Sequence, residues 1–288
     1  MSGIVSTDWL MENREMPGLV ILDLRSSFAM YEERHIPGAQ FLHVETLRLS
    51  QQGIPCKMMP LPVLGAIFGQ LGITVNTPVV TYTEEPKDHL SATYAAWSLY
   101  VTGNTRVEVL DGGFEVWRGE DRPITRTYPA IDPMDYEIRY DDSVFADWRY
   151  VRDRMGNPDV VLVDTRTRAM YNGTKGTTQR LGHIPGAILY NFFWSFTAGG
   201  VYRPLDEMRT RLERMGIVPD KEVITYCDTG REGSAVWFVL KCLLNYPRVR
   251  LYQASMTEWA AMPDLPMVTG NTPQGTGDAV NWTERRAA

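Results

Sequence analysis

Short runs of branched apolar residues alternate along this chain with longer segments whose apolar residues recur at helical spacing. The short runs occupy residues 19–24, 78–82, 107–110, 160–164, 222–226 and 249–252. Such runs, apolar at successive positions, are typical of buried strands in a parallel sheet covered on both faces. Apolar residues spaced at about 3.6 predict helices over residues 61–71, 91–101, 205–215 and 233–244. The pattern therefore indicates an α/β fold.

The chain also repeats itself. The sequence His-Ile-Pro-Gly-Ala occurs at residues 35–39 and again at residues 183–187. The flanking sequence matches too, because segments 19–25, 78–82 and 106–117 are similar to segments 160–166, 222–226 and 248–259. Two tandem domains of one fold follow, each a parallel sheet covered by helices on both faces.

The domain boundaries follow from the same repeat. We expect a first domain at residues 1–126 and a second at residues 143–268. Residues 127–142, which include Pro129, Pro133 and four aspartates, are predicted to be an exposed linker. Residues 269–288 form a polar C-terminal tail that we expect to pack loosely or not at all.

Composition excludes several classes of function. The 29 Lys and Arg residues against 35 Asp and Glu residues give a net charge of −6, which argues against a nucleic-acid partner. No apolar stretch is long enough to span a membrane, and the N-terminal residues lack the apolar run of a leader, so we expect a cytoplasmic protein without a membrane partner. Three cysteines without a paired spacing predict neither a disulfide framework nor a metal site.

The two copies differ where the central strand ends. The first copy continues after Tyr82 as Thr-Glu-Glu-Pro from residue 83, whereas the second continues after Tyr226 with a cysteine. The candidate loop of the second copy comprises Cys227, Asp228, Thr229, Gly230, Arg231, Glu232 and Gly233. Ligands of open α/β sheets bind at the carboxyl ends of strands, where a strand-to-helix loop can direct several N–H groups at an anion. Cys227 is therefore the predicted nucleophile.

A nucleophilic cysteine must lose its proton. Lowering a thiol pKa from about 8.5 to about 6.5 takes roughly 2.7 kcal/mol, whereas a helix dipole supplies about 0.3 to 1 kcal/mol. We therefore expect converging loop N–H groups, together with the Arg231 side chain, to stabilise the Cys227 thiolate. Gly230 and Gly233 allow the tight curvature that this requires. Of the other thiols, Cys56 is predicted in a loop and Cys242 in a helix core.

The duplicated His-Ile-Pro-Gly-Ala segments, the Leu-Asp-Gly-Gly-Phe run at residues 110–114 and the cysteine-initiated loop resemble a tandem-domain rhodanese, a sulfurtransferase. The resemblance implies that Cys227 takes a sulfane sulfur from a donor, forms a persulfide and passes the sulfur to a thiophilic acceptor in a ping-pong cycle. It implies no metal and no organic cofactor. The first domain, with Thr83 in place of the cysteine, is then non-catalytic.

The resemblance leaves the donor and acceptor open. Thiosulfate is favoured over 3-mercaptopyruvate, although Thr229-Gly230 fits the latter weakly, and the acceptor is cyanide or a thiol such as thioredoxin. The candidate donor-binding residues are Arg180 and Arg231. A relay proposed for some relatives would join Thr229 to His35. The same histidine in both copies also fits a purely structural role, as do the repeated pairs Asp23/Arg25 and Asp164/Arg166.

The second copy departs from the family pattern beneath the loop, and two other functions compete with the rhodanese interpretation. The second copy has Gln-Ala-Ser at residues 253–255 where the first has Asp-Gly-Gly, so the packing beneath the loop should differ. A phosphatase loop would need an arginine at position 233 to clamp a phosphate, and that residue is glycine. The alternative that is not an enzyme is a binding or scaffold protein whose rhodanese site has decayed.

Overall fold

The computed structural model describes residues 3–84 and 89–275, which form two domains built on the same plan. The helices and strands of the first domain are β1 (Gly3–Val5), α1 (Thr7–Asn13), β2 (Val20–Asp23), α2 (Phe28–Glu33), β3 (Ala39–Phe41), β4 (Arg48–Gln51), β5 (Ile54–Met58), α3 (Leu61–Gln70), β6 (Val79–Tyr82), α4 (Leu90–Val101), β7 (Val107–Leu110) and α5 (Gly113–Gly119).

The elements of the second domain are β8 (Phe145–Ala146), α6 (Trp148–Arg154), β9 (Val160–Asp164), α7 (Arg168–Tyr171), β10 (Ile188–Leu189), α8 (Leu205–Arg214), β11 (Glu222–Tyr226), α9 (Arg231–Phe238), β12 (Val249–Tyr252) and α10 (Ser255–Trp259). The first sheet has the strand order β1-β7-β6-β2-β3 and the second the equivalent order β8-β12-β11-β9-β10. The strand pairs within both sheets are parallel. The predicted duplication and α/β class are confirmed.

Successive strand residues point to opposite faces of each sheet, and both faces are covered by packed apolar side chains. In β2, Val20 and Leu22 belong to a core that runs through both domains, whereas Ile21 packs into a separate core with Phe114 and Trp117 of α5. The shared core exists because α4 packs directly against α9. The two domains are thus joined by continuous apolar packing.

The predicted helix over residues 233–244 differs from the structure in its bounds. Helix α9 begins at Arg231, because Gly230 caps it in a left-handed conformation with φ 87°. A π-helical turn, Val239–Leu243, replaces the α-helix at its other end. The loop between Cys227 and α9 is consequently short, so the helix start lies close to the candidate sulfur.

The connector between the domains is exposed, and it is hydrogen-bonded along the first domain. The Met134 N–H donates to the Gly69 carbonyl over 2.8 Å, and the Arg139 N–H donates to Thr102 over 2.9 Å. A Cβ at Gly69 would lie 2.4 Å from the Met134 carbonyl oxygen, so the close approach requires glycine there. The connector therefore has a fixed path across α3 and α4.

The C-terminal segment contacts the second domain through its backbone. Pro273 accepts a hydrogen bond of 2.7 Å from the Gly186 N–H, and Gly270 donates one of 3.0 Å to Asn172. Residues 269–275 are thus mostly exposed but hydrogen-bonded to the second domain through their backbone. The rest of the predicted tail, residues 276–288, lies outside the described residues.

The hairpin β4–β5 of the first domain reaches across to the second. Its residues Ile54 and Cys56 are buried in the outer core of the second domain, beside Tyr252 and Ala254. Cys56 therefore lies in a strand at the domain interface, and the prediction that it lies in a loop is wrong. Cys242 is buried in the shared core, as predicted.

Candidate active site

Cys227 directly follows the buried end of β11, and its side chain is fully buried. The Gly230 N–H donates a hydrogen bond of 3.0 Å to the Cys227 sulfur. The cysteine's own N–H donates to the Ser255 Oγ over 3.0 Å, and its carbonyl accepts from the Met256 N–H over 3.0 Å. The Cys227 backbone is thus fixed by Ser255 and Met256 of the segment after β12, and its sulfur faces the Gly230 N–H.

Two glycines of the loop lie in close contact with their surroundings. A Cβ at Gly230 would lie 2.4 Å from the Gln253 carbonyl oxygen, in addition to the strain of its positive φ. A Cβ at Gly233 would lie 2.8 Å from a methyl of Leu251. Gly230 therefore has to be glycine, whereas a side chain at Gly233 would require Leu251 to move and would crowd the Tyr226 backbone.

Burial and neighbouring groups act on the electrostatics of the thiol. Burial raises the pKa of the Cys227 thiol well above its ordinary value, and the Glu232 carboxylate, which is hydrogen-bonded to it, and Asp228 raise it further. The Gly233 N–H acts in the opposite direction. In this closed arrangement desolvation opposes the N–H donors and favours the neutral thiol, so lowering of the thiol pKa by the loop stays a prediction.

Arg231 does not turn toward the sulfur. Its Nη2 donates a hydrogen bond of 2.9 Å to the Ser91 hydroxyl of α4, in the first domain. The neighbouring Ser234 hydroxyl lies 3.1 Å from that of Thr93. Arg231 therefore links the loop to the domain interface, whereas the sequence predicted that it stabilises the thiolate.

Asp228 is held from behind by a buried ion pair. Arg166 bonds Asp164 over 2.7 Å and Asp228 over 3.0 Å. The Asp228 carbonyl also accepts hydrogen bonds from the N–H and the hydroxyl of Thr257. Asp228, the second loop residue, thus has a structural role: it fixes the loop backbone to the Asp164–Arg166 ion pair and to Thr257.

Ser255 is a site residue that sequence reasoning missed. It has φ 54° at the position where the first domain has Gly113 with φ 60°. Its buried hydroxyl donates to the Tyr252 carbonyl and accepts the Cys227 N–H. A non-glycine residue in this region is strained, and such strain often marks a functional position. The departure from Asp-Gly-Gly was visible in the sequence, but its consequence was not.

The first domain supplies a second set of contacts that the sequence did not reveal. Gln253 accepts a hydrogen bond of 2.9 Å from the Met58 N–H and donates one to the Cys56 carbonyl. Lys57 forms a 2.7 Å ion pair with the buried Glu258. These contacts fasten hairpin β4–β5 to the segment that supports the loop.

The structure does not bring Arg180 to the loop. Its guanidinium donates to backbone carbonyls at the end of α10 and in the segment that follows, namely those of Trp259, Ala260, Met262 and Leu265. The side chain therefore organises that segment.

His35 is likewise engaged within its own domain. Its Nδ1 lies 2.7 Å from the Tyr31 carbonyl oxygen and its Nε2 lies 3.1 Å from that of Thr127, while its ring stacks on Tyr31. His183 has the same arrangement, with Nδ1 2.8 Å from the Tyr171 carbonyl oxygen. The repeated geometry supports a structural role, and the structure does not bring His35 and Thr229 together.

The first domain retains the supporting framework of the loop without the cysteine. Arg25 bonds Asp23 over 2.8 Å and Glu84 over 2.9 Å, as Arg166 does with its own carboxylates. The Thr83 carbonyl accepts the Phe114 N–H over 2.8 Å. Residues 85–88 lie outside the described residues.

Between residues 3–84 and 89–275, no group of three or more His, Cys, Asp or Glu side chains could hold a metal ion. In the same part of the chain, no helix combines the length and apolar character of a membrane span.

Comparisons with known proteins assign the family. The rhodanese-like domain model matches residues 6–120 and 147–262. The thiosulfate sulfurtransferase of Azotobacter vinelandii is 34% identical over 251 residues, covering 87% of this chain and 91% of the relative. The sulfur carrier protein TtuD of Thermus thermophilus is 31% identical over 281 residues, covering 93% and 96%.

A solved structure agrees on the fold. The crystal structure of YnjE superimposes with a TM-score of 0.84 at 22% identity, covering 94% of this chain and 69% of the other. This likeness concerns the architecture, whereas the two sequence relatives share most of their length with this chain. The chain belongs to the rhodanese family and is a sulfurtransferase with two tandem rhodanese domains.

Proposed function

We propose that Cys227 carries a sulfane sulfur from thiosulfate to a thiophilic acceptor, either cyanide or a thiol. The observation that carries this proposal is the 3.0 Å hydrogen bond from the Gly230 N–H to the Cys227 sulfur, in a loop at the carboxyl end of a central strand. Backbone N–H groups so placed stabilise negative charge on the sulfur during attack. The similarity to a thiosulfate sulfurtransferase over most of the chain supports the choice of donor.

The proposed cycle has two transfer steps. In the first, the Cys227 sulfur attacks the outer sulfur of thiosulfate, a new S–S bond forms, and sulfite leaves with the electron pair of the old one. Overall the thiol proton stays on the resulting persulfide. In the second, the acceptor takes the outer sulfur, which gives thiocyanate from cyanide, and the Cys227 thiol is restored. Neither step needs a metal or an organic cofactor.

Burial of the sulfur bears on how the donor arrives. Cys227 is fully enclosed, and the first domain lies over the loop through Ser91 and hairpin β4–β5. We infer that the domain interface or the loop opens to admit the donor and closes to exclude water. The first domain would then serve as a wall of the site, with no sulfur chemistry of its own.

3-Mercaptopyruvate remains the alternative donor. Arg180, the candidate for its carboxylate, is hydrogen-bonded to backbone carbonyls, which favours thiosulfate. Sulfur transfer from the two donors under identical conditions separates the alternatives. We expect a larger kcat/KM with thiosulfate.

The test of the nucleophile compares the three cysteines. We expect Cys227→Ser to abolish transfer while the protein stays folded, because a hydroxyl occupies nearly the same volume but cannot hold a persulfide. Cys56→Ser and Cys242→Ser serve as matched controls and should retain most activity, since Cys56 belongs to strand β5 and Cys242 to the shared core, and neither is a residue of the cysteine loop. Turnover by Cys227→Ser would refute the proposed function. A scaffold protein would show no sulfur gain in the wild type after thiosulfate treatment.

The compartment and the acceptor are part of the same proposal. All three cysteines are buried and are present as thiols rather than disulfides, which fits a reducing compartment such as the cytoplasm. In that setting a reduced thiol protein of the thioredoxin type is a suitable acceptor. Sulfide release from the persulfide by reduced thioredoxin would support this choice, and release by cyanide alone would exclude it.

A further inference from the structure

Arg48, at the start of hairpin β4–β5, contacts the active loop from the other domain. Its Nη1 donates a hydrogen bond of 3.0 Å to the Thr229 carbonyl oxygen. The side chain is only 7% exposed and is held by Glu45 on its other side. Its guanidinium also lies near the Tyr94 ring, 5.5 Å from the centroid. A buried cation is thus fixed against one particular loop carbonyl.

The Thr229 carbonyl and the Gly230 N–H belong to the same peptide group. In a trans peptide these two groups point in opposite directions. Arg48 bonds the carbonyl end, and the N–H end points at the Cys227 sulfur. A cation on the carbonyl oxygen both fixes the plane of the peptide and polarises its N–H, since hydrogen bonds in a chain strengthen one another.

We propose that Arg48 is a positioning residue for the sulfur-carrying cysteine, acting through the Thr229–Gly230 peptide to direct and strengthen the N–H that faces the Cys227 sulfur. The inference rests on the proposed function for its biological meaning, whereas the contact itself does not depend on the identity of the donor. It also explains why a domain without a nucleophile is needed for the site.

The other charges near the loop make this role specific. Glu232 and Asp228 disfavour negative charge on the sulfur, and Asp228 is paired with Arg166. Arg231 is bonded to Ser91 of the first domain. Of the cations that contact the described loop residues, Arg48 is the one hydrogen-bonded to the peptide that faces the sulfur.

The duplicated chain offers an internal comparison. Arg48 follows a short 3-10 turn, Val44–Leu47, and the equivalent turn of the second domain, Phe192–Ser195, is followed by Phe196. Phe196 lies toward the first domain, where its ring stacks with His89 at 5.4 Å. The segment that meets the cysteine loop therefore carries a cation, whereas its counterpart in the second domain carries an aromatic ring that stacks on His89, just before α4.

The test measures the pH midpoint of Cys227 alkylation by iodoacetamide, in a Cys56→Ser/Cys242→Ser background. We expect Arg48→Gln to raise this midpoint by about one unit and to lower kcat/KM for sulfur transfer about fivefold to tenfold. Arg48→Lys should recover part of both effects because it keeps the charge. Arg34→Gln, which removes a surface arginine of the same domain paired with Glu33, is the matched control and should change neither.

A surface variant covers the case in which Arg48→Gln fails to fold. Glu45→Gln removes the carboxylate that partly neutralises Arg48 and should lower the alkylation midpoint, opposite in sign to Arg48→Gln. An unchanged midpoint in Arg48→Gln, or in Glu45→Gln if the former does not fold, would overturn the inference while Cys227→Ser remains inactive. Turnover by Cys227→Ser would refute the proposed function instead.

Discussion

The two strand-end loops share one framework and differ in what lies against them. Below each loop an arginine bridges a strand carboxylate and the second loop residue, Arg25 to Glu84 and Arg166 to Asp228. Above the cysteine loop lies the charged hairpin that carries Arg48, whereas near the start of α4 in the first domain lie aromatic rings. The difference between threonine and cysteine at the strand end thus goes together with a difference in the segment that the other domain brings to it.

The contacts that the two loops share differ in meaning from those that only the cysteine loop is seen to make. The ion pairs and the backbone bonds beneath the loops occur in both domains, so they stabilise a fold and do not by themselves make a site. Next to Cys227 lie Ser255, where the first domain has Gly113, the Glu232 carboxylate, and Arg48, whose counterpart is Phe196. Substitutions at Ser255 and Glu232 test the surroundings of Cys227. A substitution at His89 tests the aromatic contacts near the start of α4.

The largest effect is expected at Ser255. Ser255→Ala leaves the buried Cys227 N–H without its acceptor and keeps the strained backbone, at an expected cost of about 1 to 3 kcal/mol in unfolding free energy. Because the same N–H bond positions the sulfur, we also expect sulfur transfer to fall about tenfold or more. Chemical denaturation and steady-state rates provide the measurement.

Ser255→Gly sharpens this result. Glycine, the residue of the first domain, relieves the strain at φ 54° but still lacks the hydroxyl. We expect its stability to lie between those of the wild type and Ser255→Ala, with activity as low as that of the alanine variant. Wild-type activity in both variants would show that the hydroxyl does not position Cys227.

A smaller effect is expected for Glu232→Gln. The carboxylate raises the pKa of the Cys227 thiol, so its removal should lower that pKa, by about one unit at most. The alkylation midpoint should accordingly move to lower pH, opposite to the shift expected for Arg48→Gln. An upward shift would mean that the glutamate does not act through its charge.

The smallest effect on stability at neutral pH is expected at His89, which lies among aromatic rings near the start of α4. His89 is fully buried between Phe196 and Tyr202, and neither ring nitrogen has a hydrogen-bond partner among the described residues. Burial lowers its pKa from 6.5 to about 3. Below pH 6.5 the unfolded chain therefore binds a proton that the folded chain does not, so stability falls with pH down to the folded pKa.

His89→Leu should remove this acid sensitivity. Between about pH 6.5 and pH 4.5 the wild type should lose about 2 to 3 kcal/mol more than the variant, whereas the two should differ little at pH 7. Denaturant unfolding at a series of pH values provides the measurement. His43→Leu is the control, and identical pH profiles for wild type and His89→Leu would contradict the account.

Most of the fold was accessible from the sequence for a physical reason. Runs such as residues 160–164 are buried on both faces, so their apolar pattern is local and strong, and the repeat shows where each element recurs. The position of Cys227 followed from the same alignment. The path of the connector and the contacts of residues 269–275 could not be predicted. Both segments are polar and are held by backbone hydrogen bonds, which leave no periodic pattern of side chains in the sequence.

The contacts of the site were less predictable because they join distant parts of the chain. Arg48 and Thr229 are 181 positions apart, and nothing local to either residue indicates that they meet. Arg231 was expected at the sulfur because charge alone suggests it, but the packing of α9 on α4 places its guanidinium on Ser91. The raised pKa of Cys227 likewise depends on burial that a sequence does not quantify.

The central claim, that sulfur chemistry belongs to one of two similar loops, is tested most directly by Thr83→Cys on the Cys227→Ser background. The first loop has adjacent carboxylates at residues 84 and 85, and Pro86 lacks an N–H that could stabilise an anion. After thiosulfate treatment and peptide mass mapping, we predict a gain of one sulfur on Cys227 of the wild type and none at position 83 of the variant. A stable gain of one sulfur at position 83 would contradict the account.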